Sequence, residues 1–198
     1  TYYWSMDKAD RDRVAEDSWL SFLEGHDPEF PVREMQREFD NVRRHAQGVR
    51  EEMLTPDTRM SDDPMKFNPG WSGILVQTML GGLPTTNAAY PMHSRVRYFD
   101  PERRRAGVPE DVGALVDKLT ADETALTLVN INQVEERVVI VQGGAYAEHL
   151  VSSTELGGTN HKIDGSSFAV RLAPGCGARL VLKTDRYANT PTLDFPWV

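Results

Sequence analysis

The chain has 198 residues, 39% of them hydrophobic and 26% charged, enough apolar material for one globular domain or a little more. Its net charge of −8 argues against binding a nucleic-acid phosphate backbone, which requires a basic face. No run of about 18 apolar residues reads as a membrane helix, and the single cysteine, Cys176, leaves neither an internal disulfide nor a multi-cysteine zinc site.

The chain opens with Thr1-Tyr2-Tyr3-Trp4, three bulky rings where a natural terminus is usually polar and loose. They read as the edge of something already packed, so the expectation is the C-terminal part of a longer polypeptide. The alternative makes Thr1 an N-terminal nucleophile activated by its own amine. The charged run Ser5–Arg13 that follows, in place of a strand, weighs against it.

Charge then divides the sequence. The first 66 residues hold 26 charged side chains, as many as the remaining 132, as expected of solvated helices followed by a quieter region. Ser5 or Asp7 caps a first helix reaching Leu23, with Ala15, Trp19, Phe22 and Leu23 at helical spacing and Gly25 as its stop. After the Gly25-His26-Asp27-Pro28 turn, Val32, Met35, Phe39, Val42, Ala46, Val49 and Met53 recur at alternating spacings of 3 and 4. That pattern predicts a second helix with one apolar stripe, supported by an Asp40–Arg44 pair and weakened at Gly48. The two helices form an antiparallel hairpin that buries the stripe itself or seams with a partner: a preceding domain, another subunit or a second copy.

Residues 55–70 are turn-rich. Asn68 and Pro69 then open a short buried helix containing Trp71, Ile74, Leu75, Val76, Met79 and Leu80, ending at Gly81-Gly82. A loop at 83–91 leads to a first strand, Ser94–Phe99, closed by Asp100-Pro101. Residues 109–119 read as an amphipathic helix, with Val112, Leu115, Val116 and Leu119 at helical spacing. From Thr124 the period becomes two. Thr124–Asn130, Arg137–Gln142, His149–Ser153, Ser167–Leu172 and Arg179–Lys183 are short strand-like runs, with Ala173-Pro174-Gly175-Cys176-Gly177 as the last turn. The expected fold is α+β: a helical segment over 1–82, then an antiparallel β-sandwich over 92–198 with one inserted helix at 109–119. The inward residues are Leu126, Leu128, Val139, Val141, Val170, Leu180 and Leu182.

The stretches Leu126–Asn132, Arg137–Tyr146, Phe168–Gly175 and Ala178–Leu182 resemble the C-terminal β-sandwich (immunoglobulin- or fibronectin-like) accessory module of carbohydrate-active and other multidomain bacterial enzymes. In those modules a strand ending in Val-Asn precedes one closing on Gly, and a Leu-x-Pro-Gly turn feeds the last strand. The likeness covers about residues 124–184. It implies a non-catalytic buttress and carries over no functional residue.

Candidate chemistry is sparse. The histidines His26, His45, His93, His149 and His161 are scattered, and no two lie within four residues. Glu148-His149 is an adjacent pair whose members, on a strand, face opposite ways and cannot share a metal ion. Glu51, Glu52, Asp57, Asp62 and Asp63 form an acidic cluster without the calcium-loop spacing. Gly81-Gly82 and Gly143-Gly144 lack the Gly-Lys-Ser/Thr of phosphate loops. Arg103-Arg104-Arg105 is either a solvated turn or an anion or partner contact. Cys176, in a glycine turn without a neighbouring base, has no case as a nucleophile. Trp71, Tyr90, Tyr98, Phe99, Tyr146, Tyr187 and Trp197 either fill a small core or stack on a sugar. Three functions follow as expectations: the C-terminal portion of a larger enzyme, carbohydrate-active by likeness and buttressed by the sandwich; a non-catalytic binding or assembly module for a sugar or protein partner; and a processed enzyme using Thr1. No catalytic, cofactor or metal residue is assigned.

Overall fold

The computed structural model describes residues 18–53, 73–83 and 92–197. Among these, three helices and nine strands make an α+β fold, with the strands in two antiparallel sheets. The chain divides into two compact units, Thr1–Ile74 and Leu75–Val198.

In the first unit, helix α1 spans Trp19–Leu23 and starts at Ser18, whose side chain accepts a hydrogen bond from the Ser21 N–H at 3.2 Å. Ser18 is extended (φ −123°, ψ 154°), so the helix does not run in from Ser5 or Asp7 as its spacing suggested. Residues 1–17, with Thr1 to Trp4, lie outside the described residues. The Gly25 N–H closes α1 onto the Phe22 carbonyl at 2.9 Å. Helix α2 spans Phe30–Glu51 with Pro31 in its first turn, where a missing N–H costs nothing. Arg33 reaches back to Asp27 at 2.6 Å, which holds the Asp27 carboxyl below its ordinary range. Asp40 pairs with Arg43 at 3.0 Å rather than with Arg44, which donates to Asn41 instead.

Five-residue α1 meets the start of α2 through the Phe22 and Phe30 rings, which stack with centroids 6.3 Å apart. It is too short to cover the stripe. Val32 is 69% exposed, Phe39 53% and Val49 44%, while Met35, Val42 and Ala46 are half-buried, so the apolar face of α2 is only partly covered. No helix among the described residues is long and apolar enough to cross a membrane.

Helix α3, Gly73–Thr78, runs across the boundary between the units. In the second unit Met79 and Leu80 pack on the main core, and the Tyr98 hydroxyl donates to the Met79 carbonyl at 2.8 Å. The chain then returns through a Leu83–His93 bridge. A Cβ at Gly82 would overlap the His93 carbonyl, so only glycine permits that approach.

The strands are β1 (Val96–Asp100), β2 (Arg105–Ala106), β3 (Val112–Leu119), β4 (Glu123–Asn130), β5 (Arg137–Gly143), β6 (Leu150–Leu156), β7 (Thr159–Gly165), β8 (Ser167–Leu172) and β9 (Gly177–Asp185). One sheet has the order β2-β1-β5-β8 and the other β3-β4-β9-β6-β7. Alternate residues of both sheets enter one hydrophobic cluster: Val96, Tyr98, Val139, Val141, Val170 and Leu172 from the first, Val112, Val116, Leu126, Leu128, Val151, Leu180 and Leu182 from the second. All seven inward residues expected from the period-2 pattern are in it.

The helix expected at 109–119 is strand β3, paired along its length with β4. A bulge between Val116 and Lys118 shifts the phase, so Val112, Ala114, Val116 and Leu119 all meet the core. The step of three from Val116 to Leu119, which imitates a helical repeat, is the bulge itself.

Asn130 ties the sheet ends together. Fully buried, it donates through Nδ2 to the carbonyls of Glu135 (2.8 Å), Leu172 (3.2 Å) and Ala173 (3.3 Å), and its Oδ1 accepts from the Asn132 N–H at 3.0 Å. Gly175 N–H donates to the Asn132 carbonyl at 2.7 Å. The Val-Asn strand end and the Pro-Gly turn therefore belong to one hydrogen-bonded corner.

Candidate functional site

Two polar clusters of the second unit bring together side chains that the sequence keeps apart. The first surrounds the Gly143–His149 turn between β5 and β6. Ala147 adopts φ 60° there, which takes Glu148 and His149 off the strand. The expectation that the two face opposite ways is therefore wrong. Both are buried, and His149 Nε2 lies 4.0 Å from Glu148 Oε1.

Each group nevertheless already has a structural task. Glu148 accepts from the N–H of Ala145 at 3.3 Å and of Tyr146 at 2.7 Å, closing the turn through its carboxylate. His149 Nδ1 accepts from the Tyr187 N–H at 3.2 Å, and the Tyr187 ring meets the imidazole edge-on at 4.9 Å. Burial lowers the His149 pKa; Glu148 opposes this, and Arg186 and Arg95 reinforce it. The tail adds further ties, with Asn189 N–H on the Glu148 carbonyl and Thr192 N–H on the Tyr146 carbonyl. The imidazole thus holds a backbone N–H of the tail, and the carboxylate holds two of the turn.

The second cluster lines a polar cavity of about 140 Å³ formed by Asp100, Glu102, Arg103, Pro109, Glu110, Glu135 and Arg137. Arg137 is its hub. Nη1 meets Glu135 at 2.7 Å, Nη2 meets Asp111 at 3.3 Å, and Nε donates to the Glu110 carbonyl at 3.1 Å. These carboxylates raise the Arg137 pKa, Glu135 most. Arg103 pairs with Glu110, and Arg105 with buried Asp100 at 3.3 Å. Two of the three basic residues singled out in the sequence are thus spent on internal ion pairs, and the third, Arg104, is exposed. With five carboxylates around three guanidinium groups the cluster is net negative, and its arginines are held by internal ion pairs.

The other candidates disperse. Asp57, Asp62, Asp63, Trp71 and Tyr90 lie outside the described residues. Cys176 is exposed, with its backbone engaged by Asn130 and Ala173. Tyr98 and Phe99 are core residues, while Phe195 and Trp197 stack on each other 5.1 Å apart and meet the Phe99 edge. Among the described residues no group of three or more His, Cys, Asp or Glu is arranged to hold a metal ion. Sequence reasoning missed the Arg137 hub, whose partners are up to 27 residues away, and the Tyr187–His149 contact, 38 residues apart. The positive φ of Asp111 (63°), a residue type that tolerates it, is the one local trace of the first.

The chain matches no protein-family model, no curated protein and no solved structure.

Proposed function

We propose that this chain is a binding and assembly module: a β-sandwich that serves as a rigid buttress, and a helix, α2, that attaches it to a protein partner. Any catalysis in the assembly then belongs to that partner, in keeping with the likeness to accessory modules of multidomain enzymes. The observation that carries this reading is the exposure of Val32, Phe39 and Val49 on one side of α2. A helix normally turns such a stripe inward, because each large apolar side chain left in water forgoes about 1.5–3 kcal/mol. The polar clusters of the second unit support it from the other side, since their donors and acceptors are committed to holding the fold.

Phe39→Asp tests the reading in the whole chain at high dilution. An attachment face leaves the unfolding midpoint nearly unchanged. A residue covered within the chain lowers stability by about 3–5 kcal/mol, the cost of losing a buried Phe, and that loss refutes the reading.

A sugar contact is the second reading, favoured by the Phe195–Trp197 stack, of which Phe195 is 42% exposed. Titration with neutral oligosaccharides should then shift tryptophan fluorescence in the parent and not in Phe195→Ala.

A further inference from the structure

We infer that the occupant of the α2 stripe is a second copy of this chain, packed antiparallel across a two-fold axis; this rests on the attachment reading above and names its partner. Val32, Phe39 and Ala46 recur every seven residues on α2, and Met35, Val42 and Val49 recur between them. That is the seam of a two-helix coiled coil.

The side-chain volumes choose the direction. Antiparallel pairing about the midpoint between Phe39 and Val42 sets Val32 against the partner's Val49, Met35 against the partner's Ala46 and Phe39 against the partner's Val42. Each layer combines a larger residue with a smaller one, or two of equal size, and the two-fold repeats it. Parallel pairing would set Phe39 against its own copy and, one heptad on, Ala46 against its own copy. An overfilled layer beside an empty one is costly on both counts.

Charge agrees with volume. The N-terminal half of α2 carries Glu34, Glu38 and Asp40 against Arg33 and Arg37, whereas the C-terminal half carries Arg43, Arg44 and Arg50 with Glu51 at its end. Antiparallel pairing lays the acidic half on the basic half and opposes the two helix dipoles favourably. Along the edges of the seam it brings Glu29 to the partner's Arg50 and Gln36 to the partner's Arg43.

Sedimentation of the 198-residue chain over a range of concentrations tests this, together with a spin-label distance. The expected result is a reversible dimer whose dissociation constant rises about tenfold or more in Phe39→Asp. Arg50→Glu should weaken it, and Glu29→Arg in the same chain should restore it. With Cys176→Ser and Glu51→Cys, labels on the two copies should lie about 30 Å apart or more, since residue 51 and its mate are separated by some 21 helical steps of about 1.5 Å. Close labels would show a parallel pair, and a dimer indifferent to Phe39→Asp would place the contact elsewhere; either overturns the inference. A strictly monomeric chain whose stability ignores Phe39→Asp overturns the second copy while leaving the attachment reading intact. A monomer strongly destabilised by Phe39→Asp overturns both.

Discussion

Gly144 sets up a coupling that can be read from stability alone. It has φ +84°, and a Cβ there would overlap the carboxyl group of Glu148. Gly144→Ala therefore imposes two separable penalties. The left-handed backbone costs an L-residue about 1–2 kcal/mol. The Cβ also drives the carboxylate from the Ala145 and Tyr146 N–H groups, which are left buried without partners, at about 1–3 kcal/mol between them or more. Glu148→Ala alone incurs only the second penalty. Once the carboxylate is gone, Gly144→Ala meets no obstacle and adds only the backbone strain. The double variant should thus be more stable than the sum of the single losses predicts, by about 2 kcal/mol. Urea unfolding of the four proteins, extrapolated at common slope, gives the interaction energy directly. Additivity within about 0.5 kcal/mol would show that the carboxylate is not held over Gly144, and the account of Glu148 as the closing bond of this turn would fall.

Three further outcomes follow from the same geometry. Leu180 lies on β9 between β4 and β6 and is 1% exposed, so Leu180→Ala should cost about 2–5 kcal/mol; an unchanged denaturation midpoint would remove it from the core. Thr184 faces the interior with a buried Oγ1 that has no hydrogen-bond partner, so Thr184→Val should raise stability by about 1 kcal/mol, and a loss instead would reveal a partner for the hydroxyl. Burial holds the folded-state pKa of His149 below 6.5, so on acidification the unfolded chain takes up the proton first. Stability should fall as pH drops below about 6.5 and stop falling, on this account, beneath the folded-state pKa. His149→Asn, which keeps an acceptor near Nδ1, should flatten that part of the melting profile, and identical profiles would exclude the imidazole as its source.

The sequence makes some of this fold readable and conceals the rest for definite reasons. β4, β5, β8 and β9 declare themselves because one face of each meets the core while the other meets solvent, and Leu126, Leu128, Leu180 and Leu182 record that at every second residue. β3 breaks the rule at one place. Its bulge takes Leu119 out of phase with Val116, and the resulting step of three imitates a helix although the strand pairs with β4 on both sides of the bulge. β7 has no comparable signal: it is an edge strand, exposed over Thr159–Lys162, with Ile163 alone reaching the core cluster, so no apolar alternation was needed. The polar clusters are concealed for another reason. Glu148 and His149 converge because Ala147 takes φ 60°, a conformation alanine does not favour and its neighbours do not announce. What enforces it is tertiary: the tail folds back so that Tyr187 donates to His149 and Asn189 to the Ala147 and Glu148 carbonyls. Arg137 is likewise defined by Asp111 and the Glu110 carbonyl, which reach it only because β3 and β5 both begin beside the same cavity. The stripe on α2 stands at the opposite extreme. Its spacing is plain in the sequence, and what the sequence could not provide was its exposure: among the described residues the preceding helix is only five residues long, and Phe39 and Val49 stand exposed.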